Sequence, residues 1–464
     1  MINLNVGLAF LGSNNYYAKE LEVIDKSMSL LEKKYKDENI NLISNKKLNI
    51  TKEDVISTIN YLKNKNIDLL IIQTSSFCDE PIFEEFLKIK CVKLVWAPYE
   101  EFKTGDVKLH SLLSMFVAGS NMHHKYEQLI IKDWLYGDSN LLFPKLNNYL
   151  SATKALKKLN HSKIGLIGKT AYGFNNMTYG LDEAKERYGF KTESFSELNI
   201  INKAKEINDD RVIQTFKDLK FKKNNIFVDN NSIDHTIRLY LALKDLIEEK
   251  NLTALSVSCW PDFQTGYEIT PCVTLSLIND VLKIPVSCEG DLMGVVTMIV
   301  ANELSKTTSM VYDIADILEE KEMLLLWHCG ITTCSLMSNK MEDLKIINHP
   351  MINRKDSTQK RLGCSFDGSF KAQKVTALRL SNTENKIFSL SGDIEDIDVK
   401  GFTGTRGWLT NINILKNPIS ISKIIDLIIK NGIEHHLVVV PSDIDEQLKV
   451  FSSIAELEIL KEKN

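Results

Sequence analysis

Short apolar runs alternate with helix-patterned stretches over much of the chain. VGLAFLG at 6–12 and IDLLIIQ at 67–73 are two such runs, and helical periodicity begins near Tyr17 between them. KIGLIG at 163–168 starts a second, similar series after a lysine-rich segment. Buried strands that alternate with helices are typical of a parallel sheet covered on both faces. The pattern therefore predicts two successive α/β domains.

The pattern changes from Lys374 onwards. Three later runs are typical of antiparallel strands separated by turns: KVTALRLS (374–381), KIFSLSGDI (386–394) and HHLVVVPSD (435–443). The polar stretch 348–362, which begins Asn348-His349-Pro350, predicts a linker. We therefore predict an α/β fold class with two Rossmann-like α/β domains and a β-rich, barrel-like C-terminal domain. The predicted boundaries are 1–155, 156–345 and 346–464.

Polar residues follow several apolar runs of the second predicted domain. They are Glu289 and Asp291 after IPVSC, Asp313 after SMVY, and His328 after LLLW. Ligands of open α/β sheets bind at the carboxyl ends of the strands, so we expect these side chains to meet at one edge. Carboxylates and an imidazole there could bind a divalent metal or share acid–base work.

Each of these residues also has a structural interpretation. Asp291 directly precedes a predicted helix, where an acidic N-cap is favoured. Capping explains Glu289 less well, because it lies between a predicted buried strand and a glycine. His328 is as compatible with a structural histidine as with a ligand. Adjacent residues of a strand point to opposite faces, so only one of His435 and His436 is expected to face any given site.

Composition and charge exclude several classes of protein. The 464 residues carry a formal net charge of -4, which is not typical of a nucleic-acid binder. The eight cysteines contain no Cys-x-x-Cys pair, so we expect reduced thiols and no zinc–cysteine site. The N-terminus lacks a basic leader, and no apolar run approaches the length of a membrane span. We therefore expect a cytoplasmic protein with no membrane or nucleic-acid partner.

Several motifs together resemble the L-fucose/L-arabinose isomerase superfamily. They are CWPDF (259–263), PC (271–272), CEGD (288–291), Asp313 and WHCG (327–330). The interval from Glu289 to Asp313 looks the same as that between the two metal-binding carboxylates of L-fucose isomerases. The resemblance implies that His436 is the third metal ligand and that His435 contacts substrate.

Further site residues follow from the arabinose branch of that superfamily. His328 resembles an additional metal-site histidine of this branch, and GLAFLGSNNYYAKE (7–20) resembles its sugar-contacting loop, with Asn14 where that loop has Gln. The expected catalytic residues are Glu289 and Asp313. The expected metal ligands are Glu289, Asp313, His436 and His328, and the expected substrate-binding residues are Asn14, Tyr17, His123, Trp260 and His435.

The resemblance implies a metal-dependent aldose–ketose isomerase that acts on an open-chain pentose or deoxyhexose of the fucose/arabinose type. Mn²⁺ or Mg²⁺ would polarise the sugar carbonyl, and the two carboxylates would move protons through an enediol. A homo-oligomer, trimer or hexamer, with sites between subunits is also implied. One alternative is a non-catalytic sugar-binding or regulatory protein on the same scaffold. Another is metal-dependent hydrolysis of a sugar derivative.

Overall fold

The computed structural model describes residues 3–101, 103–125, 132–138, 140–354, 357–395 and 401–461. The chain divides into two compact units, which comprise 1–157 with 453–455 and 158–452 with 456–464. The predicted division into three domains, with boundaries after 155 and 345, stays a prediction. Within the described residues, no helix is both long enough and apolar enough to cross a membrane.

The first unit contains a parallel sheet with helices between its strands. The strands are β1 (Leu4–Leu11), β2 (Ile40–Ile43), β3 (Leu48–Asn49), β4 (Leu69–Thr74), β5 (Val92–Ala97) and β6 (Asp133–Tyr136). The helices are α1 (Val23–Tyr35), α2 (Lys52–Lys63), α3 (Glu80–Phe86), α4 (Ser111–Lys125) and α5 (Leu142–Asn160). The strand order is β2-β1-β4-β5-β6, with β3 beside β1, and the pairings are parallel.

Local sequence explains these elements. Every residue of β4 is buried, as expected for a central strand with both faces covered. Helix α2 begins with a capping box, in which the Thr51 hydroxyl accepts the N–H of Asp54 and the Asp54 carboxylate accepts the N–H of Thr51. These two bonds satisfy backbone donors that would otherwise have no partner in the first helical turn.

The second unit begins with another parallel sheet. Its strands are β7 (Lys163–Ile167), β8 (Lys191–Phe195), β9 (Ala254–Val257) and β10 (Val286–Ser287), in the order β10-β9-β7-β8. The helices of this part are α6 (Leu181–Tyr188), α7 (Glu197–Lys205), α8 (Asp209–Leu219), α9 (Asn230–Lys250), α10 (Asp262–Tyr267), α11 (Cys272–Val281) and α12 (Leu292–Ser305). Both parallel sheets confirm the predicted α/β class.

The remaining strands form a largely antiparallel sheet that closes on itself. They are β11 (Met310–Leu318), β12 (Met323–His328), β13 (Lys345–Arg354), β14 (Ser357–Ser369), β15 (Gln373–Leu380), β16 (Lys386–Ile394), β17 (Thr405–Ile414), β18 (Asn417–Pro418), β19 (Leu437–Val440) and β20 (Glu458–Ile459). Strands β17, β12, β11, β19, β15 and β16 pair in that order, and β16 pairs again with β17. This closure confirms the predicted barrel-like region. Two helices accompany it, α13 (Ile421–Asn431) and α14 (Asp445–Ile454).

Two sequence predictions within this unit are wrong. The stretch 348–362 is not a linker, because it lies mostly within the antiparallel strands β13 and β14. The strands that carry Asp313 and His328 belong to the barrel and not to the second parallel sheet. A barrel strand with both faces buried has the same apolar pattern as a central parallel strand, so periodicity could not separate the two.

Candidate active site

Glu289 lies in a constrained turn between β10 and α12. The φ angles of Glu289 and Gly290 are +59° and +69°, in the left-handed region that a non-glycine residue seldom adopts. The Glu289 carbonyl accepts the N–H of Ala171 at 2.9 Å, and the Gly290 N–H donates to the Val257 carbonyl at 3.0 Å. A Cβ on Gly290 would come within 2.7 Å of the backbone of Thr170. The turn therefore requires glycine and fixes where the Glu289 side chain starts.

Asp291 confirms its predicted role as an N-cap and has a second role. Its carboxylate accepts the Gly294 N–H at 2.8 Å and two bonds from the Arg379 guanidinium at 2.6 and 3.0 Å. The same carboxylate lies 3.0 Å from His436 Nδ1. Burial raises the pKa of Asp291, but Arg379 and His436 outweigh it and hold that pKa well below its usual range. An ionised carboxylate only accepts, so His436 donates from Nδ1, and the neutral ring has its lone pair on Nε2.

His436 Nε2 is directed towards the two predicted catalytic carboxylates. It lies 3.6 Å from Glu289 Oε2 and 3.9 Å from Asp313 Oδ1. Among the residues that the structure describes, none donates a hydrogen bond to the buried Oδ1 of Asp313. A buried acceptor that receives no hydrogen bond from the protein is available to coordinate a cation. Two carboxylate oxygens and one imidazole nitrogen are suitable ligands for Mn²⁺ or Mg²⁺.

The pKa values of Glu289 and His436 move in opposite directions. Burial raises the pKa of Glu289, but the hydrogen bond with His435 and the positive charge of nearby histidines lower it more, so the net change is downward. Burial lowers the pKa of His436, but the hydrogen bond with Asp291 and the charge of Asp313 raise it more. Glu289 is therefore held as the carboxylate, the form that binds a metal or accepts a proton.

The sequence predicted that His435 and His436 begin a strand, and this prediction is wrong. Both precede β19, in irregular backbone, so strand alternation does not apply to them. His435 Nε2 lies 3.2 Å from Glu289 Oε2, and its ring stacks on Phe174 with the centroids 4.7 Å apart. One possible metal-binding group contains Glu289 and both histidines, with ligand atoms within 4.8 Å of one another.

His328 is buried beside this group. Its hydrogen bonds indicate a ring that donates a hydrogen bond from Nε2 rather than one that coordinates a metal. The backbone N–H of Cys329 donates to His328 Nδ1 at 2.9 Å, so the neutral ring carries its proton on Nε2. Nε2 lies 3.4 Å from His436 Nε2 and 3.3 Å from Cys288 Sγ. Burial lowers the pKa of His328, which favours this neutral form. In this arrangement His328 presents an N–H to the site, and its predicted role as a metal ligand stays a prediction.

A cavity of about 380 Å³ opens beside Glu289. Trp260, predicted to bind substrate, lines it together with Phe174, and the two rings meet edge to face at 6.2 Å. Gln264, which sequence reasoning missed, also lines the cavity. Its Nε2 donates to the Cys259 carbonyl at 2.8 Å, while its buried Oε1 accepts from no group in the described part of the chain. The amide orientation is thus fixed, and its free acceptor suits a sugar hydroxyl.

The remaining predicted substrate-binding residues lie in the first unit. Asn14 is exposed in the turn after β1, and His123 is exposed on α4. Tyr17 is 45% exposed, and the Lys108 ammonium lies 4.6 Å from its ring centre. Their predicted contact with the sugar stays a prediction.

The chain is similar over most of its length to proteins named sulfoquinovose isomerase. It is 26% identical to that of Priestia megaterium over 414 residues, 88% of each chain. It is 24% identical to that of a Clostridium species over 396 residues, 84% of this chain and 85% of the relative. A third, from Alkalicoccus urumqiensis, is 24% identical over 405 residues. No family model matches. These relatives support the predicted class of sugar isomerase, while the metal and the predicted pentose or deoxyhexose stay predictions.

Proposed function

We propose that this chain is an aldose–ketose isomerase of the L-fucose/L-arabinose isomerase type, acting on an open-chain sugar through an enediol. The observation that carries the proposal is the approach of Glu289 and Asp313 to one nitrogen of His436, with an Asp313 oxygen that receives no hydrogen bond from any described residue. A protein that only binds sugar has no need of two carboxylates and an imidazole in this arrangement. The similarity to enzymes named as sugar isomerases supports the same reaction class.

The side chains fit a divalent cation, for which Mn²⁺ or Mg²⁺ is our proposal. Glu289, Asp313 and His436 would hold it, because each offers an oxygen or nitrogen lone pair to the same region. When bound, the cation would polarise the sugar carbonyl as a Lewis acid and so acidify the neighbouring C–H.

The protein's own groups then account for the proton transfers. One of the two carboxylates, Glu289 or Asp313, takes the proton from C2 and returns it to C1. The other transfers the hydroxyl proton from O2 to O1. His435 holds the Glu289 carboxylate through its 3.2 Å contact and so limits its orientation. The rings of Trp260 and Phe174 cover the C–H faces of the sugar and exclude water from the enediol.

We propose sulfoquinovose, a glucose-type sugar with a sulfonate on C6, as the first substrate to test. It is the sugar named for the relatives, and an aldose that could undergo the proposed transfer. The pentoses and deoxyhexoses predicted from sequence follow it in the same panel. A cytoplasmic homo-oligomer, trimer or hexamer, with sites shared between subunits remains part of this proposal.

The test uses the full chain, stripped with a chelator and reloaded with Mn²⁺ or Mg²⁺, and NMR of each sugar after incubation. We expect conversion of at least one aldose to its ketose, and loss of conversion in Glu289→Gln and Asp313→Asn. Glu319→Gln, which removes an exposed carboxylate from a turn after β11, is the matched control and should retain activity. Binding of a sugar without conversion by the loaded protein would favour the alternative, a sugar-binding or regulatory protein.

A further inference from the structure

A second cavity, of about 460 Å³, adjoins the first within the same unit. His349 and Met351 line both cavities, so the two spaces share a wall. The residues particular to the second cavity include Trp327, Phe402 and Arg361. It therefore combines aromatic surface with a cationic side chain.

Trp327 connects this second cavity to the proposed catalytic carboxylates. In the antiparallel pair of β11 and β12, Trp327 lies directly opposite Asp313, so their side chains leave the same face of the sheet. The Trp327 indole donates to the Thr403 carbonyl at 2.9 Å, which fixes the ring, and Phe402 meets it edge to face at 6.3 Å. One strand spacing of about 4.8 Å separates the two backbones, so Trp327 lies beside the strand that carries Asp313.

Arg361 is the available cation of this cavity. It is exposed on β14, and no described residue accepts a hydrogen bond or ion pair from its guanidinium. Arg406, which lies opposite Trp327 on β17, differs because it donates to Asp367 at 2.6 Å and to the Gly404 carbonyl at 2.7 Å. A guanidinium beside an aromatic wall and without an internal partner suits an external anion.

We propose that the second cavity binds an anionic group at the far end of the sugar chain, with Arg361 as its specificity-determining cation. The inference rests on the proposed function, because it needs C1 and C2 of the sugar at Glu289 and Asp313. A sulfonate and a phosphate both match the planar fork of a guanidinium. The aromatic wall then contacts the C–H face of the intervening carbons. The proposed substrate class is therefore an aldose with a terminal sulfonate or phosphate.

Steady-state kinetics on three sugars with the glucose skeleton test the inference: sulfoquinovose, glucose 6-phosphate and neutral 6-deoxyglucose. Arg361→Ala should raise KM about 10- to 100-fold for the charged sugar that the wild-type protein prefers, because a hydrogen bond to a charged group is lost. For the neutral sugar, neither kcat nor KM should change in Arg361→Ala. Arg361→Lys, which keeps the charge but not the planar fork, should fall between Ala and wild type. Lys345→Ala is the control, since it removes an exposed cation from β13 without altering either cavity.

The outcomes separate this inference from the proposed function. An equal rise in KM for charged and neutral sugars, or an equal effect of Lys345→Ala, would overturn the role of Arg361. Conversion of neutral sugars only would also overturn it, while the isomerase proposal would stand. If no sugar is converted, the proposed function fails, and calorimetric titration of the same sugars decides the subsite. Tighter binding of an anionic sugar that is lost in Arg361→Ala would support the subsite, and no such preference would reject it.

Discussion

Replacing Arg379 by methionine tests the buried ion network that supports the site. Arg379→Met keeps an extended side chain but removes the guanidinium. That group donates to Asp291 at 2.6 and 3.0 Å, to Glu434 at 3.3 Å and to the Asn382 side chain at 3.1 Å. Arg379 and Asp291 are both fully buried. The substitution therefore leaves two buried carboxylates without their cation.

The expected cost is large because water cannot replace the lost partner. Removing one member of a buried ion pair typically destabilises a protein by about 3–5 kcal/mol. Asp291 keeps the Gly294 N–H and His436, but neither is a permanent cation like the guanidinium. The Asp291 carboxylate also fixes the tautomer of His436. We therefore expect lower Mn²⁺ affinity, by about 10- to 100-fold, as for other outer partners of a ligating histidine.

Hydrogen exchange followed by mass spectrometry measures this effect locally, which matters because two compact units need not unfold together. Peptides from α12 and β15 should lose about 3–5 kcal/mol of opening free energy in Arg379→Met. Arg211→Met is the matched control, because it breaks an exposed pair with Asp245 whose side chains are 46% and 42% exposed. The opening free energy lost in Arg211→Met should stay below about 1 kcal/mol. Equal losses in the two variants would refute the reasoning.

Three further predictions concern the cavity, the histidines and acid stability. Gln264→Ala should raise KM for the sugar about 2- to 10-fold, the worth of one neutral hydrogen bond, and leave calorimetric Mn²⁺ affinity unchanged; a changed metal affinity would contradict the proposed contact. His436→Ala should weaken Mn²⁺ binding strongly, while His435→Ala should mainly raise KM, and the reverse result would exchange their roles. A hydrogen bond from Lys47 lowers the pKa of Asp54 to about 2. Its ionised form therefore stabilises the fold above the ordinary value near 4, and this contribution disappears as the pH falls towards 2. Thermal unfolding should separate Asp54→Asn from wild type much more at pH 5 than at pH 2, and a constant difference would argue against this linkage.

Much of the fold could be predicted because strands buried on both faces leave a strong apolar signal. This signal located the β4 and β7 strands and the barrel strands β15 and β16. The hairpin of β13 and β14 was mistaken for a linker, since Pro350 and several charged residues are typical of loops and of edge strands alike. Long-range pairing, which the sequence does not show, decided between these two interpretations.

The candidate site was predicted in part. The resemblance and the spacing selected Glu289, Asp313 and His436, which the structure brings to one place. The network of Arg379 could not be predicted, because its partners Asp291 and Glu434 lie 88 and 55 positions away in the sequence. Only the folded structure shows that the side chains of Arg379, Asp291 and Glu434 are buried together.

Isomerisation in D₂O is the most direct test of the central claim that a carboxylate, Glu289 or Asp313, moves a proton from C2 to C1. The Mn²⁺-loaded chain is incubated with sulfoquinovose, or with whichever aldose of the panel it converts, and the ketose is examined by NMR. Proton transfer through an enediol predicts deuterium at C1 of the ketose, because a carboxylate exchanges its proton with solvent. The same label should be absent with Asp313→Asn. Conversion without any solvent deuterium at C1, or no conversion of any aldose, would contradict the account.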